Sequence, residues 1–155
     1  MKIPCRKSPK PNLRNTIFLF LIPLFMFSLL SCVKDNTLRK VKERPDLAEL
    51  AFSLINQQRI ASHLTPLVWQ DTIAETAERH SLNMAEGTVA FGHDGFYDRI
   101  AELRSFFTFT TAAENVGYCT EQNDPVQVIV NGWMQKTDHR ANVLGDFDVS
   151  GIGAA

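Results

Sequence analysis

The sequence contains little cysteine, which limits how its fold can be held together. Only Cys5, Cys32 and Cys119 occur among 155 residues. Cys5 lies in a basic N-terminal stretch and Cys32 directly follows an apolar run, so Cys119 is the one cysteine of the remaining sequence. A disulfide framework is therefore not predicted, and the fold must depend on an apolar core. We expect Cys119 to be a small buried apolar residue, with a reactive thiol as the alternative.

A run long enough to span a membrane is also lacking. The longest apolar stretch, residues 17–30, is shorter than the roughly 20 residues that a spanning helix needs. It follows a segment that carries five basic residues and no acidic residue. A basic segment followed by an apolar run of this length is typical of a secretory signal. The sequence therefore predicts export, with residues 1–31 as the signal peptide.

The predicted signal ends in Leu29-Leu30-Ser31-Cys32, which resembles a bacterial lipobox. In that motif the cysteine sulfur receives a diacylglyceryl group, and the acyl chains then hold the protein on a membrane. A cysteine that merely follows an ordinary signal is the alternative. We expect lipidation at Cys32, a tether over residues 32–44, and a folded domain over residues 45–155. The expected location is the cell envelope, facing the periplasm or the cell exterior.

An excess of basic residues is absent from the part that would be exported. Removing the five basic residues of the signal from the 16 in the chain leaves 11, against 17 acidic residues, a formal charge of −6. Binding to nucleic acid requires a basic face, so it is not predicted. One basic run remains, at residues 39–44, and we interpret it as a solvated spacer that can lie against anionic lipid head groups.

Apolar periodicity predicts several amphipathic helices. They cover residues 45–59, 72–86, 95–103 and 125–133, and they alternate with short extended pieces. Thr72 and Glu75 have the spacing of a capping box, and Asp124 with Pro125 is a typical helix start. Residues 105–111 are interpreted as a strand or an aromatic flap, and residues 138–144 as a loop or a single turn. This alternation predicts an α/β fold in which helices flank a small sheet.

Two short histidine segments lie among turn-forming residues. They are Gly92-His93-Asp94-Gly95-Phe96 and Asp138-His139-Arg140-Ala141-Asn142, and Ala113-Glu114-Asn115-Val116 stands between them. Two imidazoles and one carboxylate, each in a loop-like setting, predict a single polar site formed by His93, Glu114 and His139. His63 and His80 carry no such context, and we expect the first in a solvated loop and the second as a surface or partly buried helix residue rather than a ligand.

The chain resembles the CAP superfamily (cysteine-rich secretory proteins, antigen 5 and pathogenesis-related 1) in its bacterial branch. The resemblance covers residues 47–155 and rests on the order and spacing of many short landmarks rather than on any one of them. The landmarks are Asn56-Gln57-Gln58-Arg59, Leu64-Thr65-Pro66-Leu67-Val68-Trp69, Phe91-Gly92-His93, Arg99, Ala113-Glu114-Asn115-Val116, Trp133-Met134, His139-Arg140-Ala141-Asn142 and Gly151-Ile152-Gly153.

The resemblance implies a fold and a set of site residues. The fold is an α-β-α sandwich with a central antiparallel sheet, whose last strand is expected to be missing here because the sequence ends soon after Gly153. By position, His93 and His139 match the two histidines of the family cleft, and Glu114 matches one of its two acids. The other acid is absent from the stretch 133–137, although Asp138 could replace it.

Two functions follow from such a site. The favoured hypothesis is a non-enzymatic binding module that takes a small-molecule, lipid or protein ligand, with His93 and His139 as possible ligands of zinc or another divalent metal. Without a metal, both histidines are expected to hydrogen-bond Glu114. The alternative hypothesis is a metal-assisted, peptidase-like hydrolase of the cell envelope. No HExxH motif is present, so no local pattern demands the hydrolase interpretation.

Overall fold

The computed structural model describes residues 41–120 and 123–155. The predicted signal peptide, the lipidation site at Cys32 and most of the predicted tether lie outside the described residues. In the described part, no helix is long and apolar enough to cross a membrane.

Helices make up most of the described secondary structure, with one pair of short strands between them. The bounds are α1 Pro45–Ala61, β1 Val68–Trp69, α2 Asp71–Glu86, α3 Phe96–Leu103, α4 Pro125–Gln135, α5 Thr137–Val143 and β2 Val149–Ser150. The predicted fold class, helices around a small sheet, is confirmed. Residues 105–111, predicted as a strand or an aromatic flap, contain no strand; Phe107 packs against Phe109, with ring centroids 6.1 Å apart.

Helix ends follow local chemistry, with two departures from prediction. α1 begins with Pro45, which suits a first turn because that position needs no N–H donor. α2 begins at Asp71 rather than Thr72, since the side chain of Gln70 accepts a hydrogen bond from the N–H of Thr72 at 2.9 Å. α5 stands where a loop or a single turn is predicted for residues 138–144, and Arg140 N–H donates to the carbonyl of Lys136 at 2.8 Å in its first turn.

The two strands pair in parallel, with Val68 opposite Val149 and Trp69 opposite Ser150. The resemblance implied an antiparallel sheet, so the orientation of this pair differs from expectation. Parallel strands need a long crossover, and residues 70–148, which carry α2 to α5, provide it. After β2 the chain passes so close to α2 that a Cβ at Gly153 would lie 2.1 Å from the backbone nitrogen of Glu78. Only glycine fits there.

The apolar core lies between α1, α4 and α5. Val130 of α4 is completely buried, and the buried cluster around it consists of Ala51, Ile55, Leu67, Val126, Trp133 and Val143. Cys119, predicted to be buried, is half-buried. One charged side chain, Arg59 of α1, is also buried at the base of this core. The core holds α5 in place, and α5 carries one of the two predicted site histidines.

Candidate functional site

His93 lies in the loop between α2 and α3, where two glycines shape the backbone. Gly92 and Gly95 have φ angles of +150° and +76°, which side-chain-bearing residues rarely adopt. Gly95 precedes α3, and the carbonyl of His93 accepts a hydrogen bond from Phe96 N–H at 3.0 Å. The loop therefore fixes the backbone of His93 at the start of a helix, while its side chain remains 43% exposed.

The imidazole of His93 is held by Glu114. Its Nδ1 lies 2.9 Å from Oε1 of Glu114. A carboxylate only accepts hydrogen bonds, so the ring nitrogen that faces it carries the proton. The lone pair of neutral His93 is then on Nε2, away from Glu114. This contact brings together two of the three predicted site residues.

Arg99 of α3 binds the other side of the same carboxylate. Nε of Arg99 donates to Oε2 of Glu114 at 3.0 Å, and Nη2 lies 2.8 Å from both carboxylate oxygens. This fork-like pairing is among the stronger polar contacts that proteins make. The side chains are 13% and 20% exposed, respectively, so the pair is partly shielded from water.

His80 of α2 supports Arg99 from behind. Its Nε2 lies 2.9 Å from the carbonyl oxygen of Gly92, and its Nδ1 lies 3.3 Å from Nη1 of Arg99. A carbonyl requires a donor and a guanidinium requires an acceptor, so Nε2 of His80 carries a proton and Nδ1 accepts. His80 is more deeply buried than the surface or partly buried position that the sequence predicts, and its side chain joins the His93 loop to Arg99.

Two asparagines connect Glu114 to α5. Asn115 Nδ2 donates to the backbone carbonyl of His139 at 3.0 Å. Asn142 Nδ2 donates to Oδ1 of Asn115 at 2.9 Å and to the carbonyl of Glu114 at 3.4 Å. These bonds fix the extended segment that carries Glu114 against the helix that carries His139.

His139 is buried, with 6% of its surface exposed. Its Nδ1 has no hydrogen-bond partner within the described ranges, so the expected bond from His139 to Glu114 does not form. Burial is the main cause that lowers the pKa of His139 from its ordinary value. His139 therefore favours its neutral form and offers a buried, unsatisfied ring nitrogen.

The donor set does not fit a metal ion in this arrangement. Both oxygens of Glu114 are bound to Arg99, and Nδ1 of His93 is bound to Glu114. Zinc sites use three or four protein ligands, whereas Nε2 of His93 and the ring of His139 are the donors that remain. Across residues 41–120 and 123–155, no group of three or more histidine, cysteine, aspartate or glutamate side chains is arranged to hold a metal. The metal role of His93 and His139 stays a prediction.

Arg99 is the functional residue that sequence reasoning missed. It was counted among the landmarks of the resemblance but given no place in the site. The position of Arg99 in the sequence could have indicated its role, because it lies one helical turn after Gly95, on a short helix whose Leu103 is buried. A charged side chain on such a helix, next to a histidine loop, needs an acidic partner.

Comparisons with known proteins bear on this site. The model of the cysteine-rich secretory protein family, named CAP, matches residues 52–155. The crystal structure of a cysteine-rich secretory protein from Staphylococcus aureus subsp. aureus Mu50 is similar, with a TM-score of 0.54 and 26% sequence identity. That match covers 68% of this chain and 33% of the other, so the chain spans about a third of that protein. No curated protein matches.

Proposed function

Because the chain belongs to the cysteine-rich secretory protein (CAP) family, we propose that it is an exported, lipid-anchored binding module of the cell envelope. The ligand binds at the cleft defined by His93, Glu114 and His139. Binding, rather than catalysis, is the function that the polar contacts of the cleft support best.

The observation that carries this proposal is the contrast between the two histidines. His93 is half-exposed and held in one orientation by Glu114, so it presents Nε2 outward. His139 is buried, and its Nδ1 has no partner among the described residues. Buried polar atoms in native proteins nearly always have a hydrogen-bond partner. A bound ligand would provide that partner, and the fixed His93 would provide a second contact without reorganisation.

An apolar cavity adjoins the cleft at Glu114, although neither His93 nor His139 lines it. It has a volume of about 1220 Å³, and Arg99 and Glu114 line it together with Phe96, Val116 and Trp133. Ligand sites commonly combine apolar walls with a few fixed polar groups. This combination favours a ligand with an apolar body and a polar, hydrogen-bonding end.

The alternative, a metal-assisted hydrolase, has less support. In the described part of the chain, no serine or threonine hydrogen-bonds to His93 or His139, so neither ring is placed to activate a hydroxyl nucleophile. The remaining donors are also too few for a catalytic zinc site, which uses three protein ligands. A hydrolase would need Glu114 to leave Arg99 first.

The anchoring part of the proposal rests on the N-terminal sequence. The basic segment, the apolar run and Leu29-Leu30-Ser31-Cys32 occur in the order that a lipoprotein signal requires. Acylation at Cys32 with more than one chain would give stable membrane attachment, whereas a single acyl chain gives only marginal binding. Residues 33–44 would then hold the folded domain away from the membrane surface.

Mass spectrometry of the full chain, expressed in a bacterium and purified from its membranes, tests both parts. Under denaturing conditions, we expect the mass of a chain that starts at Cys32 plus acyl groups. Cys32→Ala removes this mass increment, and Cys5→Ala, the matched control, leaves it unchanged. Under native conditions, we expect an additional non-covalent mass that the double variant His93→Ala with His139→Ala loses.

The denatured mass tests the lipid anchor and the native mass tests ligand binding, so each can contradict its own part of the proposal. An unacylated chain that retains residues 1–31 contradicts the anchor. A native mass that equals the denatured mass, or an extra mass that the double histidine variant keeps, contradicts binding at the cleft. Release of smaller products from isolated envelope material by the chain, but not by this variant, would instead support the hydrolase.

A further inference from the structure

We propose that the guanidinium of Arg99 is the built-in cation of the cleft. It occupies the place beside Glu114 that a divalent metal ion would otherwise take, and it thereby makes the arrangement of His93 independent of metal. This inference deepens the proposed function and rests on it for the role of the cleft. Its own claim concerns only how Arg99, Glu114 and His93 are held.

Arg99 binds both oxygens of the Glu114 carboxylate. Its Nε and Nη2 atoms lie 2.8 to 3.0 Å from the two oxygens of Glu114. A carboxylate that already binds an arginine in this forked manner has its charge compensated and its inner face covered. A second cation at the same face would be repelled by the guanidinium, and this repulsion is strong because the pair is partly buried.

Arg99 is itself held by contacts on other sides of its guanidinium. A guanidinium has five N–H groups. Two of them, on Nη1, point to the carbonyl of Asp94 at 2.9 Å and to Nδ1 of His80 at 3.3 Å. Nε and Nη2 contact Glu114. Each of the three guanidinium nitrogens therefore has a partner, and these contacts together hold Arg99 against Glu114.

His93 is held by the same carboxylate that Arg99 binds. Oε1 of Glu114 accepts from Nδ1 of His93 and from Nη2 of Arg99 at the same time. Arg99 therefore acts on His93 through Glu114, as a positioning residue, and keeps the Nε2 lone pair of His93 directed away from the carboxylate. In metal sites, outer carboxylates usually orient the histidine that binds the metal. Here an arginine holds the carboxylate in turn, and the second histidine is not bound to it.

Zinc affinity of the full chain, measured by competition with a chromophoric chelator, tests this arrangement. We expect Arg99→Met to bind zinc roughly tenfold more tightly than the parent chain, because Glu114 becomes available beside His93. Adding Glu114→Gln to that variant should remove the gain. Arg99→Lys keeps the positive charge and should bind zinc as the parent does. Arg104→Met removes an exposed arginine just after α3 and is the matched control.

A second zinc-affinity measurement tests the same proposal without replacing Arg99. In the parent chain, Glu114→Gln should leave zinc affinity unchanged, because Glu114 is not available as a ligand while Arg99 binds it. A clear loss of affinity in Glu114→Gln would overturn the proposal. Unchanged affinity in Arg99→Met with a parent-like circular dichroism spectrum would also overturn it. Neither readout depends on acylation or on the native-mass ligand, so its failure is distinguishable from failure of the proposed function.

Discussion

Two arginines that are shielded from water, Arg59 and Arg99, differ in what they bind. Arg59 joins parts of the backbone, whereas Arg99 holds side chains of the candidate site. Arg59 is 3% exposed and donates only to backbone carbonyls. The acceptors are Thr65, Val143, Gly145 and Phe147, at 2.8 to 3.1 Å. Arg99 donates mainly to side chains, those of Glu114 and His80. Arg59 ties loops together, whereas Arg99 orients groups that can act on a ligand.

Replacing Arg59 and replacing Arg99 would leave different groups without a hydrogen-bond partner. Without Arg59, several carbonyl oxygens far apart in sequence lose their donor at once, including that of Val143 at the end of α5. Without Arg99, one carboxylate loses its counter-ion, but Glu114 is 20% exposed and can turn towards water. α5 belongs to both regions, because Arg59 binds the carbonyl of Val143 while Asn142 binds that of Glu114.

The largest expected effect is therefore on stability at Arg59. Arg59→Met should lower the free energy of unfolding by about 3 kcal/mol, because buried carbonyls lose charge-assisted hydrogen bonds. Arg99→Met should cost about 1 kcal/mol, since water can partly replace the lost partner. Urea unfolding followed by tryptophan fluorescence measures both. Equal losses in the two variants would break the distinction between the two arginines.

A smaller effect is expected from pH, through His139 on the shared helix α5. The pKa of His139 is lowered on folding, chiefly by burial, from its ordinary value of 6.5. The unfolded chain therefore binds more protons between the folded pKa and 6.5, and stability falls as the pH falls through this range. Above pH 6.5, His139 no longer lowers the free energy of unfolding, because neither state binds its proton. Burial raises the pKa of Glu78, which acts in the opposite direction in acid.

Unfolding curves at pH 7.5 and pH 5.5 check this prediction. Because Glu78 is present in every variant, we compare the pH dependence of the parent with that of His139→Gln, which should be weaker. His63→Gln, at an exposed loop position, is the matched control and should keep the parental dependence. If His139→Gln and the parent lose the same stability on acidification, His139 is not the group that titrates.

Prediction from sequence succeeded where the cause is local. The apolar periods of α1, α2 and α4 place these helices within a few residues, because burial of one helix face depends on spacing along the chain. Gly87 ends α2 in the left-handed conformation, as a glycine after a helix is expected to do. His93 and Glu114, which the sequence places in one polar site because both lie among turn-forming residues, are in contact in the structure.

Prediction failed where the cause is a contact between distant residues. Arg99 and Glu114 are 15 positions apart and belong to different elements, so no window of sequence shows that they pair. The same holds for Arg59, whose acceptors in and after α5 lie more than 80 residues away. The parallel orientation of β1 and β2 depends on how the helices between them pack. Such partners become visible only once the fold places them together.

The most direct test of the account is the proton position on each histidine ring of the unmodified chain, read from the ring nitrogen chemical shifts by NMR at pH 7.5. The account predicts that His80 carries its proton on Nε2, between Gly92 and Arg99. It also predicts that neutral His93 carries its proton on Nδ1, facing Glu114. A proton on Nδ1 of His80 or on Nε2 alone of His93 would contradict the central claim, that Arg99 and Glu114 set the orientation of the cleft.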